Sequence, residues 1–104
     1  MPSAFGFVKS VAGGNKFTSA FVIDDIIYHF SGNLSPALQD FHSNEAILEY
    51  NSIAELTSQQ DFDGKIGTSD IQLNASNGAT IRGPLEMPIS PASRVSGSGV
   101  WFQN

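Results

Sequence analysis

One arrangement of apolar residues around a glycine occurs three times in this sequence: residues 30–34 (FSGNL), 62–66 (FDGKI) and 81–85 (IRGPL), with a looser fourth copy over 95–101. In an extended strand alternate side chains share a face, so each copy leaves a gap between two apolar side chains on one face of a sheet. Glycine weakens a strand unless the sheet bends there or another backbone approaches closely. The pattern therefore predicts a small, strongly curved β-sheet.

The same glycines also fit ordinary turns. Asp63-Gly64 is a favoured two-residue hairpin loop, and residues 31–33 form a typical turn sequence. Gly83 and Gly97 are better strand candidates, because regular alternation continues on both sides of each. Pro84 cannot donate a hydrogen bond to a ladder, so its strand lies at a sheet edge or carries a bulge.

The first third of the chain predicts three strands in a meander. Apolar residues alternate over 5–11 and 17–23 around a Gly-Gly-Asn turn at 13–15, which predicts a hairpin. Residues 24–25, both aspartate, predict a second tight turn, after which residues 26–34 return as the third strand.

Helix and strand patterns overlap in the middle of the chain. Ser35-Pro36 fits the start of a short helical turn that ends near Phe41. Residues 46–51 predict a strand, and the capping-box spacing of Ser52 and Glu55 predicts a helical turn over 53–58. The alternative is a single helix over residues 44–57.

The last third has the clearest strand pattern. Residues 71–75 alternate without error, Asn77-Gly78 is a strong hairpin signal, and residues 80–87 return as the partner strand. The prolines within residues 88–91 predict a break in the ladder. A final strand is expected over residues 94–103.

These elements predict a mainly β fold, with one all-β domain over residues 1–104. We expect a small antiparallel barrel or compact sandwich of about seven or eight strands, with one or two short helical turns in the 36–58 region. The glycines favour the barrel, because closure requires tightly coiled strands. A chain of 104 residues has a small core, so an oligomeric interface would help to stabilise it, and we expect a homo-oligomer.

Composition argues against several classes of partner. The formal net charge is −5, and the five basic residues are scattered, so nucleic acid is not an expected partner. The most apolar segment, residues 21–30, is too short to span a bilayer and contains two aspartates, so membrane insertion is not expected. The absence of cysteine and of a signal-peptide pattern favours a soluble protein that is cytoplasmic or non-classically secreted.

No catalytic or metal-binding motif stands out. No Gly-x-Ser-x-Gly sequence occurs, and His29 and His42 fit ordinary surface positions. Residues 61–64 resemble a calcium loop only superficially, because Lys65 stands where an oxygen ligand is needed. We therefore expect no catalytic set, no metal and no cofactor, and the chain leans towards a non-enzyme.

A candidate ligand site surrounds the one tryptophan. If residues 95–102 form a strand, Gly97 and Gly99 lie on the same face as Trp101 and leave open space beside its indole. A flat aromatic beside a bare strand can hold a sugar ring or an apolar ligand. The further candidate ligand-binding residues are Tyr28, Tyr50 and Asn33. The alternative is that Trp101 simply fills a narrow core.

The sequence is compatible with three functions. The leading hypothesis is a non-enzymatic binding protein, either lectin-like and specific for a glycan or holding a small apolar ligand in a β-barrel. The second is a barrel enzyme of the cyclase or isomerase type, in which Tyr28, Tyr50 or Glu49 moves protons. The third is a structural or interaction subunit that assembles through exposed strand edges.

Overall fold

The computed structural model describes residues 2–11, 15–35 and 39–103, and within these ranges it is mainly β. The six strands found there are β1 (Ser3–Val11), β2 (Lys16–Ile23), β3 (Ile26–Ser35), β4 (His42–Glu49), β5 (Gln59–Ala75) and β6 (Thr80–Gln103). A 3-10 helix, Ile53–Glu55, lies between β4 and β5. No helix in the described ranges has the length and apolar character needed to cross a membrane.

Backbone hydrogen bonds join the strands into a ring. The order runs β3-β2-β1-β4-β6, with every pair antiparallel, and β6 returns to β3. β6 makes both connections because it is long: residues 80–82 pair with β4, and residues 96–103 pair with residues 28–35 of β3. This architecture confirms the predicted mainly β class, a small antiparallel barrel or compact sandwich.

β5 pairs with both parts of β6 and folds back on itself. The Ser76 backbone N–H donates to the Asp61 carbonyl (2.9 Å), and Gly64 lies directly against the Gln72 carbonyl. The two halves of β5 therefore run side by side, and β6 bends with them. Six continuous strands thus provide eight strand segments, which explains why the sequence pattern indicated seven or eight.

β6 continues through both prolines as one strand, but its ladder with β5 is interrupted at residues 88–91 as predicted, since only Ile89 has a partner there. The register shifts here: Asp70 faces Pro84, whereas Thr68 faces Ile89. Residues 85–88 are thereby looped out opposite Ser69. This irregularity lies beside Pro84, as predicted from its missing N–H.

The middle of the chain forms a strand rather than the alternative helix over 44–57. β4 begins at His42, earlier than the predicted strand at 46. Ala46 and Leu48 are buried at alternate positions of β4, and Tyr50 is buried just beyond its end. The 3-10 helix confirms a helical turn near residue 53. The predicted capping box is wrong: Ser52 makes no side-chain cap. The Glu55 carboxylate accepts from the Asn51 backbone N–H instead (2.9 Å). Residues 36–38, where a helical turn was also predicted, lie outside the described residues.

Two of the predicted tight turns are present. Asp24 and Asp25 connect β2 to β3, both with positive φ (52° and 66°). The turn after Ala75 contains three residues, 76–78, rather than two, because the Ala75 backbone N–H donates to the Ala79 carbonyl (2.8 Å). The predicted Gly-Gly-Asn turn falls mostly on residues 12–14, outside the described residues.

The glycines lie where neighbouring strands approach each other closely. A Cβ on Gly97 would overlap the Asn33 carbonyl, and one on Gly32 would overlap the Ser98 carbonyl. Both glycines belong to the ladder that closes the ring, which confirms the predicted role of bare backbone in curvature. Gly64 lies within β5, so the prediction of a hairpin loop at this glycine is wrong.

Candidate functional site

Five of the six predicted ligand-binding residues lie along the ladder between β3 and β6. Trp101 of β6 faces Phe30 of β3 in this ladder, and all five residues belong to these two strands. The five residues are Tyr28, Asn33, Gly97, Gly99 and Trp101. Tyr50 follows the end of β4 and does not belong to this group.

The space that the sequence predicted beside Trp101 is occupied by Phe30. The two rings are stacked with centroids 4.6 Å apart, and a Cβ on Gly99 would lie 2.7 Å from the Phe30 Cζ atom. Phe17 and Phe62 pack edge to face at 5.3 Å in the same buried cluster. Trp101 is therefore a core residue, and the glycine makes room for Phe30 rather than for a ligand.

The candidate proton-transfer residues come from two separate parts of the chain. Tyr28 lies in β3 and Tyr50 beyond β4, both buried. The Glu49 carboxylate forms an ion pair with the Arg82 guanidinium (3.2 Å). His29 stacks on Phe102, with ring centroids 4.8 Å apart.

A different feature, a seam in the ring between β4 and β6, brings surface side chains together. The ladder between these strands ends at the pair of Ile47 and Arg82, so residues 42–46 of β4 pair with β1 alone. The strands stay close, since a Cβ on Gly83 would lie 2.9 Å from the Ala46 Cα atom. The sheet is thus closely packed at the seam but not bonded as a ladder.

A β-bulge on β4 lies at this seam. Gly6 faces Ala46 and Val8 faces Ser43, so β4 holds one residue more than β1 between these pairs. The extra residue leaves both Asn44 and Glu45 exposed on the outer surface. Bulges of this kind re-aim side chains and are frequent next to binding sites.

The bulge is tied across the seam by Glu86 of β6. Its carboxylate accepts a hydrogen bond from the Asn44 backbone N–H (3.2 Å). This contact satisfies a backbone donor that the extra residue removes from the regular ladder. The contact with Glu86 therefore helps to hold the bulge in this conformation.

An open groove of about 720 Å³ lies over the seam. Phe5 is its most exposed aromatic side chain, at 71%. The ring of Phe7 is partly covered by the Lys9 ammonium, which lies 5.6 Å from the ring centroid. The groove is lined by Phe5, Gly6, Phe7, Asn44, Glu45, Ile47 and Pro84.

Sequence reasoning missed this groove because it depends on which face of β1 turns inwards. β1 buries Ala4 and Val8, the small residues, and exposes the large Phe5. A tightly curved sheet has little interior space, and this favours small inward side chains. The available signal was the alternation of Ala4, Gly6 and Val8 with phenylalanines, which is the reverse of the usual rule that large apolar residues face the core.

Within the part of the chain that the structure describes, no group of three or more histidine, aspartate or glutamate side chains is placed to hold a metal ion. The chain was compared with protein-family models, curated proteins and solved structures, and it matches none of them.

Proposed function

We propose that this protein is a non-enzymatic binding protein that holds a neutral carbohydrate in the groove over the seam. The observation that supports it is Phe5, which is 71% exposed within a paired strand and lies in the same groove as Asn44 and Glu45. An exposed apolar surface rimmed by polar side chains is typical of a ligand-binding groove.

The groove offers both kinds of contact that a sugar needs. A pyranose ring has an apolar C–H face, which packs on the Phe5 ring, and an edge of hydroxyl groups. Those hydroxyls donate to the Glu45 carboxylate and exchange hydrogen bonds with the Asn44 amide. A volume of about 720 Å³ accommodates a ligand of one or two sugar rings.

Charge favours a neutral sugar over an acidic one at this place. Glu45 lines the groove, and Glu86 lies across the seam in contact with Asn44. An anionic ligand would be repelled by both carboxylates, which outnumber the one cation beside the groove, the Lys9 ammonium over Phe7. A small apolar ligand, the other class expected from the sequence, would make no hydrogen bonds to the Asn44 amide and the Glu45 carboxylate that line one side of the groove.

Calorimetric or NMR titration with a panel of neutral mono- and disaccharides tests the proposal. Replacing Phe5 with alanine should weaken binding about fivefold or more, because stacked aromatic contacts contribute about 1 kcal/mol. Phe102→Ala is the matched control, since Phe102 is an exposed aromatic (50%) outside the groove. The proposal fails if no saccharide binds, or if both variants weaken binding equally.

Native tryptophan fluorescence is a poor readout of this binding, because Trp101 is buried away from the groove residues. A Phe5→Trp substitution in a Trp101→Phe background moves the one indole to the groove. Its emission should shift when sugar is added. An unchanged emission at saturating sugar would place the ligand elsewhere.

A further inference from the structure

A second groove, on the outer surface of the folded-back β5, contains two facing cations. Lys65 of β5 lies directly opposite Arg94 of β6 in the ladder, and both are exposed. Like charges opposite each other destabilise a sheet. Two of only five basic residues in a chain of net charge −5 occupy this one position.

The ion pairs of the structure do not offset this repulsion. Among the residues that the structure describes, the ion pair present joins Arg82 to Glu49 and involves neither Lys65 nor Arg94. The two cations outnumber the one carboxylate that lines the same groove, Asp63, so this groove is locally positive on an acidic molecule. A positive potential attracts an anionic group from solution.

The folding back of β5 adds polar donors around these cations. The groove has a volume of about 360 Å³ and includes Gln72 and Asn74 from the second half of β5. Gln72 donates from Nε2 to Asn74 Oδ1 (3.2 Å), and no described residue accepts from the Asn74 NH₂ group. Ser96 supplies a hydroxyl group on the same wall.

One carboxylate, Asp63, also lines the groove. It accepts hydrogen bonds and repels a second negative charge, so it suits a ligand that carries hydroxyl groups beside a single anionic group. The Arg94 guanidinium matches a carboxylate with two parallel N–H donors. The surroundings thus combine two cations, amide donors and one acceptor.

We propose that the groove between Lys65 and Arg94 binds the carboxylate of a hydroxylated small molecule, the class to which sugar acids belong. This site is separate from the groove that contains Phe5 and does not depend on the function proposed for that groove. The cationic pair is retained for the ligand, at a cost in stability to the free protein.

Amide NMR titration at low ionic strength tests the site with glucuronate, acetate and glucose as probes. Glucuronate should perturb amides near residues 63–65, 72–74 and 94–96 and bind at least about tenfold more tightly than either other probe. The double substitution of Lys65 and Arg94 by glutamine should weaken glucuronate binding about tenfold or more. Lys16→Gln removes an exposed cation outside this groove and should leave binding unchanged.

Three results would overturn the proposal: no perturbation at about 20 mM glucuronate, equal binding of acetate, or equal loss in the Lys16 control. Thermal unfolding of the free protein supplies an independent readout. Lys65→Gln should raise Tm by about 1–4 °C by relieving like-charge repulsion. A fall in Tm would show instead that Lys65 serves the fold rather than a ligand.

Discussion

Gly97 lies where the last strand of the ring meets β3, and a methyl group there would overlap the Asn33 carbonyl. Backbone cannot move aside as a flexible side chain can, so we expect Gly97→Ala to destabilise the protein by about 1–3 kcal/mol or more. Ser96→Ala, at the adjacent exposed position, should change stability by less than about 0.5 kcal/mol. Urea denaturation of both variants measures the difference, and equal stabilities would show that the close approach is not required.

Trp101 is well packed but has one buried polar atom without a hydrogen-bond partner among the described residues. Its ring stacks on Phe30, but its buried Nε1 has no hydrogen-bond partner among the described residues. An unpaired buried donor costs about 1–3 kcal/mol, so Trp101→Phe should lose little stability, since it removes the donor and keeps an aromatic ring. Trp101→Ala should lose about 3–5 kcal/mol. Thermal and urea unfolding distinguish the two variants, and similar losses would show that a phenyl ring does not replace the packing of the indole.

At the scale of elements, the turn between β2 and β3 holds two non-glycine residues in a backbone conformation that favours glycine. Asp24 and Asp25 both have positive φ, a conformation that favours glycine, and a two-residue turn of this kind prefers Asp-Gly. We expect Asp25→Gly to stabilise the protein by about 0.5–1 kcal/mol, because glycine adopts positive φ without the Cβ clash. Asp25→Ala is the control, because it removes the charge and keeps the Cβ atom. If alanine stabilises as much as glycine, charge rather than backbone strain is responsible.

Local pattern was sufficient for elements whose partners are close in sequence. The β2-β3 turn and the hairpin after Ala75 were predictable because their turn residues and flanking alternation lie together in the chain. The folding back of β5 also has a local signal, the turn-forming residues 67–70 (GTSD) with positive φ at Gly67 (104°). It was not predicted, because the sequence pattern favoured Gly64 as the hairpin loop. The start of the strand His42–Glu49 was predicted too late, at residue 46, because the bulge interrupts the alternation at Asn44 and Glu45.

At the scale of the whole molecule, both candidate binding surfaces arise from departures from a regular ring. The groove that contains Phe5 lies at the seam and bulge of β4, and the groove between Lys65 and Arg94 lies where β5 folds back. The glycine pattern correctly predicted that the sheet would curve. It also predicted open space beside Trp101, and Phe30 occupies that space. Register between distant strands decides these sites, and local alternation does not encode it.

The seam itself has a measurable consequence for local stability. Leu48 lies between β1 and β6 and is bonded within a full sheet, whereas residues 44–45 have a ladder partner on one side at most. Amide hydrogen exchange should therefore be about 100-fold or more faster at residues 44–45 than at Leu48.

A saccharide bound in the adjoining groove would contact both β1 and β4, so it should slow exchange at the seam. It should also stabilise the whole fold by about 2.7 kcal/mol at 100 times its Kd. In Phe5→Ala the global stability should be retained but the sugar-dependent slowing should be lost. Uniform protection along β4 in the free protein would show that the ring has no opening here.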